Sequence, residues 1–255
     1  MTQKIVRRNR KGTKNKDLFK WPNETLDEMD GALRTQQHIQ RMIQEDASDV
    51  WKLVRLPKSQ DKHVWIYEHL RQIVIELNEF CVFHNGVWTV ENHPDMRLKI
   101  NGEETAFFSS AFYPPKKVPA IDYITQTIEQ TQDTLNNSTL FPSRAFIPQK
   151  GQQEFQNIFR RLARIFAFSF YEYPDYFKKY EEEHHLFKRF KTLGLEFDMI
   201  TQQNLLIPEN VGELLQSEKT NSQENNQNEN SNDSNDDEDS DSLLDDLISD
   251  DEGEL

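Results

Sequence analysis

The feature that most narrows what this chain can fold into is a break in composition after Pro208. The stretch SQENNQNENSNDSNDDEDSD, residues 222–241, holds no apolar side chain. It therefore has nothing to bury against the roughly 1–2 kcal/mol per residue that ordering a backbone costs. From Glu209 to Leu255 the chain carries 17 acids and one Lys, and residues 209–255 are expected to form a disordered acidic tail rich in Asn, Ser and Asp. A folded domain must then come from residues 21–208, behind a basic lead-in over residues 1–20. Residues 1–208 hold 27 acids and 29 bases, close to neutral, so the overall formal charge of -14 describes the tail and not the fold.

In the first 208 residues the apolar spacing is helical. Met29, Leu33, Ile39, Met42 and Ile43 roughly follow a helical period over Asp27–Glu45, where the early acids suit the helix dipole. Tyr67, Leu70, Val74, Leu77 and Cys81 recur every three or four residues and predict a helix over Val64–Phe83 that buries one face. In FHNGVWTV, Asn85-Gly86 between β-branched and aromatic residues predicts a small hairpin or irregular flap. Pro114, Pro115 and Pro119 close the apolar run AFFSSAFY, and a helix is expected from near Ala120, with Ile121, Ile124, Ile128 and Leu135 on one face. Two aromatic-rich helices are read over Gln153–Tyr171 and Asp175–Leu195, their rings as core. The fold class that follows is all-α, or mostly helical.

Several chemistries find no support. The chain has no glycine-rich phosphate loop, no nucleophile elbow and no HExxH. Its single Cys, Cys81, lies in an apolar run, so it reads as a small buried hydrophobe and no intramolecular disulfide can form. No charge-free apolar run reaches the roughly 18 residues of a membrane span, and the start MTQKIVRRNRKGTK has no apolar core of a signal peptide, so a soluble intracellular protein is expected. Seven Lys or Arg between Lys4 and Lys16 suggest nucleic acid or nuclear import, but without a basic stripe further on they read better as a lead-in lying across the domain. Glu181 and His185 are four apart and could share a metal, although such pairs are more often ordinary surface neighbours.

The basic trio of FRRLARIF carries more. On a helix Arg160, Arg161 and Arg164 span about 100° and converge on one side, where three guanidinium forks could hold a dianionic phosphate. Spacing alone favours a solvated basic face paired with surface acids.

The order RRNRKGTK, DLFKWPNETLDEMD, VWIYEHLRQIVIELN, VPAIDY, FPSRAFI and FRRLARIF resembles the Mob family, and within it the phocein, striatin-associated branch, over about residues 5–208. The resemblance implies a noncatalytic domain built on a four-helix bundle. It also implies a cytoplasmic adaptor linking a striatin-like scaffold and protein phosphatase 2A subunits to germinal-centre-type kinases. The alternatives are a Mob-type coactivator of a nuclear Dbf2-related kinase, or a nucleic-acid or histone binder that uses the basic start and acidic tail. On this resemblance Arg160, Arg161 and Arg164 match a phosphopeptide-binding cluster.

The family pattern also includes a structural zinc held by two Cys and two His, and here those positions fall on Asn92, Arg97, Phe168 and Tyr173. None is a good zinc ligand, so no cofactor is expected. Phe168 and Tyr173 are expected to pack against the loop that metal would have tied down, leaving His93 a bystander. In the tail, Leu243, Leu244, Leu247 and Ile248 would share a helix face, as in a segment that folds on a partner, or they cluster by chance. Ser240, Ser242 and Ser249 precede acids, and the tail, phosphorylated or not, is expected to compete for the basic face.

Overall fold

The computed structural model describes Gly12, Lys14 and residues 25–29, 31–100 and 102–208; the rest of the basic lead-in and the acidic tail lie outside the described residues. Eight helices and one two-stranded sheet follow along them: α1 (Arg34–Glu45), α2 (Val50–Val54), α3 (Lys62–Phe83), β1 (Arg97–Ile100), β2 (Glu103–Ala106), α4 (Ala120–Asn136), α5 (Gln149–Glu172), α6 (Pro174–His184), α7 (Leu186–Glu196) and α8 (Gln202–Leu205). The fold is mostly helical, as the apolar spacing predicts.

The helix α3 organises the core. Its N-cap, Asp61, accepts the backbone N–H of His63 and Val64, which removes two of the donors a helix start leaves unpaired. Burial is not confined to the expected single face: Trp65, Ile66, Leu70, Ile73, Leu77 and Phe80 are all closed off, together with Glu68 and His69. Neighbours surround it, since α1, α4 and α7 all pack on α3. At roughly 1.5–3 kcal/mol per buried large side chain, this helix is the largest single apolar contribution. A four-helix bundle results. α3 lies against α4 and α7, α4 against α5, and α5 meets α7 through the rings of Phe159 and Phe190, 5.0 Å apart.

Charge enters this core in pairs. Arg189 of α7 is fully buried and its guanidinium donates to Glu76 of α3 at 2.5 Å. Arg144 makes a bidentate contact with the buried Glu68. Removing one partner of such a pair strands the other and typically costs about 3–5 kcal/mol.

Three expectations are corrected or narrowed. The first helix begins at Arg34 and not at Asp27, because Thr25–Glu28 is a turn whose Glu28 carboxylate accepts from Thr25, and Gly31 at φ +107 separates it from α1. Of the two forms expected at Asn85-Gly86 the irregular one is found: the Val87 and Trp88 amides donate back to the His84 carbonyl and Gly86 has φ +83, so this pair ends α3. The hairpin is instead β1 with β2, in antiparallel register Arg97↔Ala106 to Ile100↔Glu103, and its turn Gly102 has φ +87. The helix read over Asp175–Leu195 is two helices, broken at His185, which sits at φ +49. The break re-aims the chain so that Phe187 faces Phe166 and Phe177, with ring centroids 5.4 and 5.5 Å away.

Candidate functional site

Arg160, Arg161 and Arg164 lie midway along α5, whose other sides bury Phe155, Phe159, Leu162 and Phe166. Burial of that apolar stripe turns the arginines outward, toward α4 and the loop after β2. Each guanidinium is positioned by a neutral oxygen. Arg160 donates to Asn157 Oδ1 at 2.6 Å, Arg161 to Gln130 Oε1 at 3.2 Å and Arg164 to the Tyr123 hydroxyl at 2.8 Å. Arg164 also lies 4.8 Å over the Phe107 ring, a cation–π contact. With Asn157 the three line an open depression of about 340 Å³.

Among the described residues no carboxylate pairs with these arginines, unlike Arg97, Arg144 and Arg189. A guanidinium has five N–H donors, more than the one hydrogen bond named for each arginine uses. Such a set suits an anion with several acceptor oxygens, and a phosphoryl group is the best match to convergent forks. Sequence reasoning singled out the arginines but not Tyr123, Gln130 and Phe107, which hold them. The signal was available for two of these: Tyr123 and Gln130 are two turns apart and therefore on one side of α4.

The second region of interest is the corner where the loop after α3 meets the end of α5. Phe168 is fully buried, its ring edge-on to His93 at 4.9 Å and to Trp88 at 5.7 Å. The Tyr173 hydroxyl contacts the Val87 carbonyl at 3.0 Å and His93 Nε2 at 2.7 Å. A phenol has one proton, and only the hydroxyl can donate to the carbonyl, so His93 Nε2 is the donor to the phenol oxygen. His93 is thus part of the closure and not a bystander. Burial raises the Tyr173 pKa, keeping the phenol protonated. Asn92 donates its side-chain N–H to the Val87 carbonyl at 3.3 Å. Arg97, on β1, turns away to Asp95 and Glu104, and its hydrogen bonds to them raise its pKa while lowering that of Asp95.

These four positions do not fit a zinc ion. Phe168 has no donor atom, the Tyr173 proton is engaged, and Arg97 is a cation already satisfied by acids. Among the described residues no three His, Cys, Asp or Glu converge as metal ligands. Glu181 is used otherwise, its carboxylate accepting the Phe187 and Lys188 amides at 2.8 and 2.7 Å and so capping α7. His185 occupies the left-handed junction beside it. Cys81 is half-buried, and burial pushes its thiol up to about 12, away from reactivity at neutral pH.

One member of the corner was not anticipated. His84 stacks on Trp88 at 4.1 Å, donates through Nδ1 to the Phe80 carbonyl at 2.8 Å and accepts the Ser169 hydroxyl at Nε2 at 2.8 Å. Burial lowers its pKa to about 4, so the ring is neutral, as the accepting Nε2 requires.

Comparison with known proteins agrees with this architecture. The description of the Mob1/phocein family matches residues 41–208. "MOB kinase activator-like 4" of Drosophila melanogaster is 37% identical over 209 residues, covering 82% of this chain and 92% of the relative. "MOB-like protein phocein" of Caenorhabditis elegans is 35% identical over 217 residues, 85% of this chain and 96% of the relative. "Maintenance of ploidy protein mob1" of Schizosaccharomyces pombe is 26% identical over 171 residues, 64% and 69% of the two chains.

Proposed function

The chain belongs to the Mob1/phocein family, and from that premise we propose that it is a noncatalytic cytoplasmic adaptor that docks phosphorylated segments of its partners. Its assembly is of the striatin type, in which a striatin-like scaffold and protein phosphatase 2A subunits are joined to germinal-centre-type kinases. The similarity to the nematode protein named phocein supports this branch. The observation that carries the docking role is the arginine cluster: three guanidinium groups held by neutral oxygens, with no acid paired to them among the described residues. Fixed forks lose less side-chain entropy on binding than free ones.

A phosphothreonine or phosphoserine peptide from a co-purifying partner, titrated by calorimetry, is expected to bind the protein. The double variant Arg160→Ala, Arg161→Ala is expected to lose at least tenfold in affinity, about 1.4 kcal/mol or more. Equal affinity of variant and parent removes the docking role. A second reading, a coactivator of a Dbf2-related kinase, takes its support from the fly relative, whose name is "kinase activator-like". Purification of the tagged protein from its own cells separates the two. Striatin-like and phosphatase 2A subunits in the eluate favour the adaptor, and a Dbf2-related kinase without them favours the coactivator.

A further inference from the structure

The face that bears the arginines does not stop at α5. Gln130 Oε1 accepts from Arg161 at 3.2 Å and from the Ser110 hydroxyl at 3.0 Å, which ties the loop between β2 and α4 to the cluster. That loop is closed at its base. The Ser109 amide donates to the Lys116 carbonyl at 2.7 Å, the Lys116 amide returns a bond to the Ser109 carbonyl at 3.3 Å, and the buried Ser109 hydroxyl donates to Gln126 of α4. Pro114 and Pro115 stiffen the tip, since each fixes its own φ.

A tip held this way presents two rings to water: Phe112 is 38% exposed and Tyr113 101%. The Lys116 ammonium lies 5.3 Å over the Phe112 ring. Among the described residues no carboxylate comes within ion-pair distance of it. Residues 107–119 contain no acid, and Tyr123, Gln126 and Gln130, on the side of α4 that meets the loop and the arginines, are all neutral. Apolar area thus stands beside a cation that meets no acid, next to three arginines in the same position. Apolar surface grouped and edged by charge marks a contact surface.

Its composition restricts the occupant. A purely apolar ligand would strand Lys116, and a purely acidic one would leave Phe112 and Tyr113 wet. The partner must offer an acid and a large apolar side chain together, and must run on from a group seated on the arginines. Distance sets the register. Two hydrogen bonds, of 3.2 and 3.0 Å, separate Arg161 from the Ser110 hydroxyl, and Phe112 follows two residues later, at most about 7.6 Å of backbone. An extended peptide advances about 3.3 Å per residue. It therefore reaches the tip two to four residues from the one held by the arginines.

We propose that Phe112, Tyr113 and Lys116 form a specificity subsite for the ligand of the arginines, reading a large apolar side chain and an adjacent acid two to four residues from the phosphorylated one. The proposal rests on the reading of Arg160, Arg161 and Arg164 as a phosphate-docking cluster and adds which phosphorylated segments that cluster accepts. The arginines hold any phosphoryl group, and the tip decides between partners. Little ordering is needed on binding, because the closed loop already fixes the backbone that carries the rings.

The test uses the immobilised full-length protein and a library of synthetic peptides in which a central phosphothreonine is flanked by five randomised positions on each side. Retained peptides are sequenced by mass spectrometry and compared with those from the unphosphorylated library. Leu, Met or Phe is expected to be enriched at least threefold at a position two to four residues from the phosphothreonine, with Asp or Glu beside it. Phe112→Ser with Tyr113→Ser should erase the apolar preference. Lys116→Glu should turn the acid preference into one for Lys or Arg, and both variants should keep phosphate-dependent retention. All three residues are exposed, and reversal of a charge preference cannot come from a loss of folding. Retention that needs the phosphate, Arg160 and Arg161 but shows no flanking preference, or one that both variants leave unchanged, overturns the subsite and leaves the arginine reading standing. Retention that ignores the phosphate removes both readings. A dimer of the free protein in sedimentation that Phe112→Ser with Tyr113→Ser dissolves also overturns the proposal, since the occupant would then be a second copy of the chain.

Discussion

Near its carboxyl end α5 presents Phe168, Ser169 and the adjoining Tyr173; one to two turns earlier it presents Arg160, Arg161 and Arg164. The first group is matched within the fold. His93 donates to Tyr173, Tyr173 to Val87 and Ser169 to His84, with Phe168 sealed behind them. The second differs, since its guanidinium groups meet neutral oxygens and no carboxylate among the described residues. One helix thus carries a patch whose polar groups are matched within the fold and another whose guanidinium groups meet no carboxylate among the described residues. Closing this corner with an aromatic ring and a phenol needs no ion, but it requires that every neutral partner be placed correctly.

The sharpest way to break this contrast is to empty the corner. Phe168→Ala is expected to cost about 3–5 kcal/mol, read as a lower urea midpoint, whereas Arg160→Ala with Arg161→Ala should stay within about 0.5 kcal/mol of the parent. Equal losses in the two variants would show that the arginines are structural after all. A smaller change sharpens the point: Tyr173→Phe leaves the His93 N–H unpartnered and the Val87 carbonyl with only its longer bond from Asn92, and should cost about 1–2 kcal/mol. Combined with His93→Ala, it should show a coupling of about 0.5–1.5 kcal/mol in a double-mutant cycle. Additive losses would mean that the 2.7 Å contact contributes nothing.

Acid offers a gentler probe. His84 is buried and neutral, its pKa lowered to about 4, while an unfolded His titrates near 6.5. The unfolded chain therefore binds the extra proton first. Stability from this group is complete above about pH 6.5 and is lost as the pH falls from there toward 4, by at most about 1.4 kcal/mol per pH unit. His69, buried and lowered to about 3, adds in the same direction. Denaturation midpoints should fall with acidification across that window, and His84→Gln should flatten the slope; an unchanged slope would place the titrating group elsewhere. The smallest expected effect concerns metal. The purified protein should carry no stoichiometric zinc, and chelator should leave its melting temperature unchanged; one zinc per chain by metal analysis would refute the self-contained corner.

Much of this architecture could be read without coordinates, because helical periodicity is a local property. α3 and α4 begin within two residues of where apolar spacing and Pro119 put them, at Val64 and near Ala120. α2 and α8, five and four residues long, were missed because they are too short to display a period. Hairpin and irregular flap were left open at Asn85-Gly86, and the hairpin lies at the other Asn-Gly pair. Asn85-Gly86 and Asn101-Gly102 offer the same turn chemistry, and only the packing of α3 up to Phe80 and His84 makes the first a helix stop. The break at His185 was equally invisible, since it is imposed by the need to direct Phe187 and Arg189 inward while Glu181 caps the new helix.

By itself the sequence determined that this chain is a helical domain with an acidic tail, which residues could form its core, and that three arginines would share a side of one helix. Tertiary structure alone decided which neutral groups would hold those arginines and which groups would meet Phe168 and Tyr173. The partners are remote: Arg164 and Tyr123 lie 41 residues apart, His93 and Tyr173 80, and Ser169 and His84 85. Periodicity reaches only a few turns along the chain. A hydrogen bond or ring contact between distant residues exists only once the bundle has closed around α3 and fixed both ends in space.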